Sequence, residues 1–413
     1  MARDTVVIVG AGLAGAKAAE TLRAEGFSGA ILLVGAEEEL PYERPPLSKD
    51  YLLGELDRAS TAVHGPGWYT DHEVDLVLGA AVISIRRDTH TVELANGRHL
   101  AYTHLMLATG ASPRRLSLPG AELEGVLYLR DLADSERLRE ALRSGNPVAV
   151  VGGGWIGLEV AAAARRYGCP VTIVEPQPVP LQATLGTEIG QYVTETHRRH
   201  GVTVLSGRRP RNLIGSGHVL GLTTDAGEEV EADTVLIAVG ATPNTALARG
   251  GGLAVDDANH GIVVDEYLRA GDPTIVAAGD VASALHPFYG RHLRVEHWAN
   301  ALAMGPAAAR SLLGRGTPYD ELPFFYTDQY DLGMEFVGLP SGSHDVVVRG
   351  ELGEDAFHAF WLADGRVVAG MHVNRWDEGI EPAKQLVRRR ATVDAARLAD
   401  PSIPLDGVVV GAH

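Results

Sequence analysis

Short unbroken apolar runs alternate along this chain with longer stretches of helical period. Thr-Val-Val-Ile-Val at 5–9 reads as a strand buried on both faces, and it runs through a glycine turn into a helical stretch ending near Arg23. A second apolar run, 30–34, predicts the neighbouring strand. The same order returns further on, with a strand at 147–151, a helix at 158–167 and a strand at 171–174. Residues 81–94, followed by Asn96-Gly97, read as a hairpin, and residues 214–236 repeat that pattern around Asp225-Ala-Gly227. From Phe324 the texture changes to short strands at 336–338, 345–348, 356–362 and 367–373, with helices from Glu381. The longest apolar candidate, 148–164, is broken by four glycines and Glu159, so no membrane span is predicted.

The two glycine turns carry the first chemistry. In Gly10-Ala-Gly12-Leu13-Ala14-Gly15 the first glycine allows the tight turn, the second lets backbone approach a pyrophosphate, and the third lets helix and strand pack closely. The pyrophosphate then rests on a helix N-terminus. Glu37, after the second strand, is the candidate ribose acceptor. Gly152-Gly-Gly154-Trp155-Ile156-Gly157 repeats the unit and ends on Glu175. A purely structural glycine turn is the competing reading of either motif. Two fingerprints imply two dinucleotides, most economically a resident FAD and a nicotinamide dinucleotide that comes and goes. Glu175 would accept from a ribose 2′-OH and repel a 2′-phosphate, and the following Pro-Gln-Pro-Val-Pro contains no arginine, which favours NADH over NADPH.

Composition narrows the class. A chain of 413 residues suggests about three domains, and its 49 glycines show no collagen-like period. A net charge of −17 argues against nucleic-acid binding. The single cysteine, Cys169, allows neither a disulfide nor a Cys-x-x-Cys pair nor a cysteine-rich metal site within the chain, and it fits a reducing, cytoplasmic setting. The start, Met1-Ala-Arg before an apolar run, superficially resembles a signal peptide; cleavage there would destroy the first fingerprint.

The block Leu40-Pro-Tyr-Glu-Arg-Pro-Pro-Leu-Ser-Lys49 resembles the oxygenase-coupled NADH-dependent ferredoxin reductases, of the putidaredoxin reductase and dioxygenase reductase type. The likeness continues through Leu107-Ala-Thr-Gly110, Tyr128-Leu-Arg130, Ala238-Val-Gly240, Pro243-Asn244, Ala277-Ala-Gly-Asp280, Glu296-His-Trp298, Asn300 and Thr327-Asp-Gln-Tyr330. It implies an α/β fold with two Rossmann-like, glutathione-reductase-like domains and a C-terminal α/β domain. The expected boundaries are 1–111 and 245–319 for FAD, 112–244 for NADH, and 320–413. The implied activity is NADH:ferredoxin oxidoreduction feeding a cytochrome monooxygenase or Rieske oxygenase. Alternatives are a rubredoxin reductase, an NADH oxidase or quinone-type flavoenzyme, and, from another class, an NADH-sensing flavoprotein of the apoptosis-inducing-factor type.

The resemblance also assigns residues. For FAD they are Gly10, Gly12, Leu13, Ala14, Gly15, Glu37, Arg44, Lys49, Val82, Ala108, Thr109, Gly110, Arg130, Asp280, Glu296, His297 and Trp298. For NADH they are Gly152, Gly154, Trp155, Ile156, Gly157, Glu159, Glu175, Val239 and Gly240. Lys49 and Glu159 are the catalytic pair; Lys49 is one of three lysines, with Lys17 and Lys384. A surface lysine, helix-dipole stabilisation by Glu159 in its helix's first turn, and an N-cap role for Asp280 before a predicted helix are the competing readings. Docking of an acidic ferredoxin is expected at Arg291, Arg294, Arg375, Lys384, Arg388, Arg389 and Arg390, the triple arginine being equally readable as a solvated helix end. His197 to His200 read as exposed surface. Ala36 and Tyr326 stand where the family pattern has an acid and a tryptophan, and the stretch from Pro41 to Lys49 lacks a redox thiol. The expected assembly is a monomer or weak homodimer.

Overall fold

The computed structural model describes residues 4–340 and 344–410; Met1 to Arg3, the start of the leader-like segment, lie outside the described residues. Helices and strands alternate around the two glycine turns, and runs of successive strands make up much of the rest. The chain gathers into two compact units: Met1–Pro45, Asp57–Ser112 and Ala241–Glu321 form one, and Pro46–Leu56, Pro113–Gly240 and Leu322–His413 the other. No helix among the described residues is long and apolar enough to cross a membrane.

In the first unit the Thr5–Val9 strand lies between Ala30–Val34 and His104–Leu107, all parallel, with Thr5 opposite Ala30 and Val6 opposite His104. Val74–Val77 and Ile275–Ala277 complete five strands. Cover on both faces explains why the central strand reads as a continuous apolar run. The helix Leu13–Ala24 packs on Trp298–Leu312, where a Cβ on Gly305 would stand 2.3 Å from the Ala14 carbonyl oxygen. The predicted hairpin is a three-stranded meander, Val82–Arg86, Thr91–Leu94 and His99–Ala101, turning at Asn96-Gly97. One expectation fails here. Asp280 precedes no helix: Gly279–Val281 is a single 3-10 turn, and Ala282–His286 follows as a strand. That strand is paired on both sides, by Ile262–Val264 and Arg291–Leu293, and this pairing overrides the helical tendency of the alanines.

The second unit repeats the parallel core. Val148–Val151 lies between Val171–Glu175 and Thr234–Ile237, with Val202–Ser206 and Val126–Leu127 outside them. The helix Trp155–Arg166 follows the central strand, and Pro210–Ser216, His218–Thr224 and Glu229–Glu231 form the second meander. The C-terminal strands build an antiparallel sheet in the order Phe324–Gln329, Leu332–Gly338, Arg366–Val373, Ala356–Ala363, Asp345–Glu351. Trp361, fully buried in it, donates Nε1–H to the Leu185 carbonyl at 3.2 Å, which ties the sheet to the helix Gln182–Arg199. Arg349 is only 3% exposed and donates to the carbonyls of Leu398, Asp400, Pro401 and Ile403, pinning the C-terminal segment. Residues 46–56 also pack here: Ser135 Oγ–H donates to the Leu47 carbonyl at 2.8 Å and Tyr51 O–H to Glu136 at 2.6 Å.

Candidate functional site

The first fingerprint is closed on its inner side and open on its rim. Gly10 has φ +119°, and a Cβ there would stand 2.0 Å from the Ala108 carbonyl oxygen; one on Gly15 would stand 2.1 Å from that of Gly10. Around Gly12 nothing lies within 4 Å. The Leu13–Ala24 helix has neither a side-chain cap nor an acidic residue in its first turn, so its N–H groups face outward without an internal anion. Glu37 stands just past the Ala30–Val34 strand, where it accepts from Arg44 Nη2–H at 2.9 Å and from Tyr42 O–H at 2.5 Å. Burial works against the Arg44 charge, but Tyr42, Glu37 and Asp280 more than offset it and hold its pKa above the ordinary value. Glu37, Arg44 and Asp280 therefore share one electrostatic environment.

The other first-unit residues take these places. Thr109, on the loop with Ala108 and Gly110, donates its hydroxyl to the Asn244 carbonyl at 2.8 Å, and the Asn244 amide donates back to the Thr109 carbonyl at 2.8 Å. Val82 opens the first meander. His297 is the N-cap residue and Trp298 the first residue of the Trp298–Leu312 helix, and Glu296 pairs with Arg294. Arg130 belongs to the second unit, where its backbone N–H donates to Asp134 at 2.9 Å at the head of the Leu132–Arg143 helix.

The second fingerprint matches the first. Cβ atoms on Gly152 and Gly157 would stand 2.4 Å and 2.2 Å from the carbonyl oxygens of Ala238 and Gly152, while Gly154 is clear to 4 Å. Glu175 is buried and turned back onto the turn: Oε2 accepts from Gly153 N–H at 2.6 Å and Oε1 from Gln177 N–H at 2.7 Å. Ile156 is exposed in the first helical turn, whereas Trp155 rests its ring 4.3 Å from Phe325. Val239 and Gly240 follow the Thr234–Ile237 strand, and the Gly240 carbonyl accepts from Arg114 N–H.

Lys49 and Glu159 meet inside the second unit. Lys49 Nζ is 2.7 Å from Glu159 Oε1, with the side chains 13% and 6% exposed. The same carboxylate accepts from Thr327 O–H at 2.6 Å and from Ser48 O–H at 2.5 Å. Nζ also lies 5.4 Å from the centre of the Tyr326 ring. Glu159 opens the second turn of its helix, not the first, because the helix begins at Trp155. A dipole role weakens accordingly, and the contacts are those of a buried ion pair.

A family model for pyridine nucleotide-disulphide oxidoreductases matches residues 4–305, and one for a reductase C-terminal region matches 324–409. The chain belongs to the pyridine nucleotide-disulphide oxidoreductase family. Its relatives include the ferredoxin--NAD(+) reductase component of an anthranilate 1,2-dioxygenase system from Burkholderia cepacia, 41% identical with 98% of this chain and 99% of that protein covered. Putidaredoxin reductase of Pseudomonas putida is 37% identical, over 100% and 98% of the two chains. Among solved structures, a covalent putidaredoxin reductase–putidaredoxin complex superposes with TM-score 0.94 at 37% identity over 98% of each chain. A ferredoxin reductase for the CYP199A2 system of Rhodopseudomonas palustris gives 0.94 at 36%, over 98% and 99%.

For this oxidoreductase family member the two open glycine rims are the test of cofactor fit, and both pass: packed from inside, clear outside, at uncapped helix starts. The family's disulphide chemistry has no counterpart here. Cys169 is fully buried, its thiol contacts the Leu142 carbonyl at 3.3 Å, and burial pushes its pKa up. Three further residues need comment. Arg294 is turned inward, donating to the carbonyls of Asn259 and Asp280, and Arg375 is neutralised by Asp377 and Glu378, so neither presents a simple surface cation. His197 is fully buried, not surface. It lies, after the break at Gly186, on the helix face that already buries Ile189 and Val193 at four-residue intervals, a period the sequence did display.

Proposed function

We propose that this oxidoreductase takes hydride from NADH and delivers single electrons to an iron–sulfur ferredoxin, in the service of an oxygenase. What carries the reading is the pair of open glycine cradles in a chain whose single thiol is buried. Electrons entering from NADH meet no thiol acceptor within the chain and must leave to another molecule. Bound FAD supplies the conversion of a two-electron donor into one-electron output.

The residues divide the work. Gly10 to Gly15, with Glu37, Arg44 and Asp280, hold FAD; Gly152 to Gly157 hold the NADH pyrophosphate. Glu175 places negative charge behind the second turn and selects against a 2′-phosphate. Lys49, held in place by Glu159, offers a cation to the negative charge that develops during hydride transfer. Ferredoxin docking falls to Arg291 and to Lys384 with Arg388, Arg389 and Arg390, of which Arg291, Arg389 and Arg390 are exposed.

Anaerobic stopped-flow mixing with NADH or NADPH, followed by a [2Fe–2S] ferredoxin with cytochrome c as reporter, tests the reading. Fast bleaching of flavin absorbance by NADH, with cytochrome reduction only when ferredoxin is present, is the expected result. Lys49→Ala should slow bleaching by at least tenfold, roughly the loss of one charge-assisted contact, while FAD stays bound. Equal turnover without ferredoxin would point to an oxidase or quinone reductase, and slow bleaching with a long-lived NAD complex to a sensor; either would overturn the proposal.

A further inference from the structure

The Glu159 carboxylate is the end point of a hydrogen-bonded chain that no part of the reaction has yet used. Thr327 O–H reaches Glu159 Oε1 at 2.6 Å, Gln329 Nε2 lies 3.2 Å from Thr327 Oγ1, and Gln329 Oε1 lies 2.9 Å from His197 Nε2. Tyr330 Oη is 3.1 Å from His197 Nδ1, and its ring stacks on His200 at 3.7 Å. The links come from the first C-terminal strand with its turn and from the helix Gln182–Arg199. Glu159, Thr327, Gln329 and His197 are all buried.

Donor and acceptor arithmetic fixes every proton. An ionised carboxylate only accepts, so it takes the one hydroxyl proton of Thr327. Thr327 must then accept from Gln329, whose NH2 group therefore faces it and whose carbonyl faces His197. A carbonyl only accepts, so His197 carries its proton on Nε2. Burial pushes this imidazole down to about 4, so it is neutral at pH 7 and leaves Nδ1 to accept from Tyr330. Every donor in the chain points the same way, from Tyr330 towards Glu159.

We propose that Tyr330, His197, Gln329 and Thr327 are positioning residues that lock Glu159 in one orientation and thereby keep Lys49 in place. This rests on the role given above to Lys49 and Glu159. Of the charged neighbours, Lys49 faces the carboxylate, Asp328 feels Lys49, Glu159, Asp50 and Glu335, His200 acts on the imidazole and Arg165 on Tyr330. A polar chain in which every member is satisfied rigidifies its surroundings, and losing one link leaves the next group buried without its partner.

Two measurements on the FAD-loaded protein test this. Long-range ¹H–¹⁵N spectra of the histidine rings, with His197 assigned by its loss in His197→Phe, should show a neutral Nε2-protonated ring between pH 6 and 8. A Nδ1-protonated or charged His197 would overturn the chain as drawn. In stopped flow, Thr327→Val, which removes the hydroxyl at constant shape, should slow NADH-driven bleaching by about tenfold, the scale of one lost charge-assisted contact. Thr327→Ser should restore the rate, and the NADH dissociation constant should stay unchanged. A wild-type rate in Thr327→Val beside a slow Glu159→Gln would overturn the positioning role alone. Wild-type rates in both Glu159→Gln and Lys49→Ala would instead overturn the reading of the pair, and the histidine spectrum would still report whether the chain exists.

Discussion

Both carboxylate oxygens of Glu175 are committed to backbone N–H groups, so this side chain shapes the second glycine turn as well as charging it. Removing it frees two backbone donors, the Gly153 one buried, and deletes the charge that opposes a 2′-phosphate. Glu175→Ala should therefore lower kcat/KM for NADH by about tenfold, the scale of one lost charge-assisted contact, and narrow the NADH-to-NADPH ratio. Steady-state kinetics with both nucleotides measure this, and an unchanged ratio would remove Glu175 from specificity. Such residues differ in how far sequence reveals them. A carboxylate at the end of the second strand is legible because strand, turn and acid keep a local spacing. The pairing of Lys49 with Glu159 spans 110 positions and followed only from resemblance. The contacts of Ser48, Thr327, Gln329 and His197 are illegible in the sequence, because they are made across long separations that no local period encodes.

At the scale of elements, periodicity placed the parallel strands, both meanders and the C-terminal strands close to where they lie. It failed at Asp280, where pairing on both sides decided for strand over helix. It was also silent about rows that run across a sheet. In the C-terminal sheet Tyr326, Glu335, His372, His358 and Arg349 are opposed one after another across all five strands. Glu335 and His372 bond at 2.9 Å, and burial drives the fully buried His358 down to about 4, with Glu378 opposing that and Arg375 and His372 adding to it. The folded state thus takes up this proton only near pH 4, whereas the unfolded chain takes it up near 6.5. Stability is complete above pH 6.5 and lost as pH falls towards 4, by up to about 3 kcal/mol for one such histidine. His197 adds a second loss of the same sign. Thermal unfolding of wild type and His358→Leu at pH 7.5 and pH 5 checks the argument: the variant should lose less of its midpoint on acidification. An equal loss in both would mean that His358 does not contribute.

Charge acts at the scale of the whole molecule. A chain of net charge −17 and pI near 5.4 repels an acidic ferredoxin at long range, so productive docking requires a local concentration of basic residues. The inward turn of Arg294 and the neutralisation of Arg375 shrink the available set, and the run from Arg388 to Arg390 becomes its most compact part. Two opposing fields then act on the encounter. Salt weakens the global repulsion, which favours association, and weakens the local attraction, which opposes it. At low ionic strength the Debye length exceeds the size of a basic patch, so repulsion is felt first; near 0.1 M it falls to about 10 Å and the patch dominates at contact. The rate of ferredoxin reduction should therefore pass through a maximum as salt is raised, not fall steadily. Reversing charge in Arg389→Glu/Arg390→Glu should flatten the high-salt decline, lower the maximum and leave NADH-driven bleaching unchanged, because these residues lie outside both nucleotide fingerprints. Cytochrome-coupled turnover measured from 10 mM to 500 mM salt distinguishes the cases, and a double variant with the wild-type salt profile would move the docking surface away from this helix end.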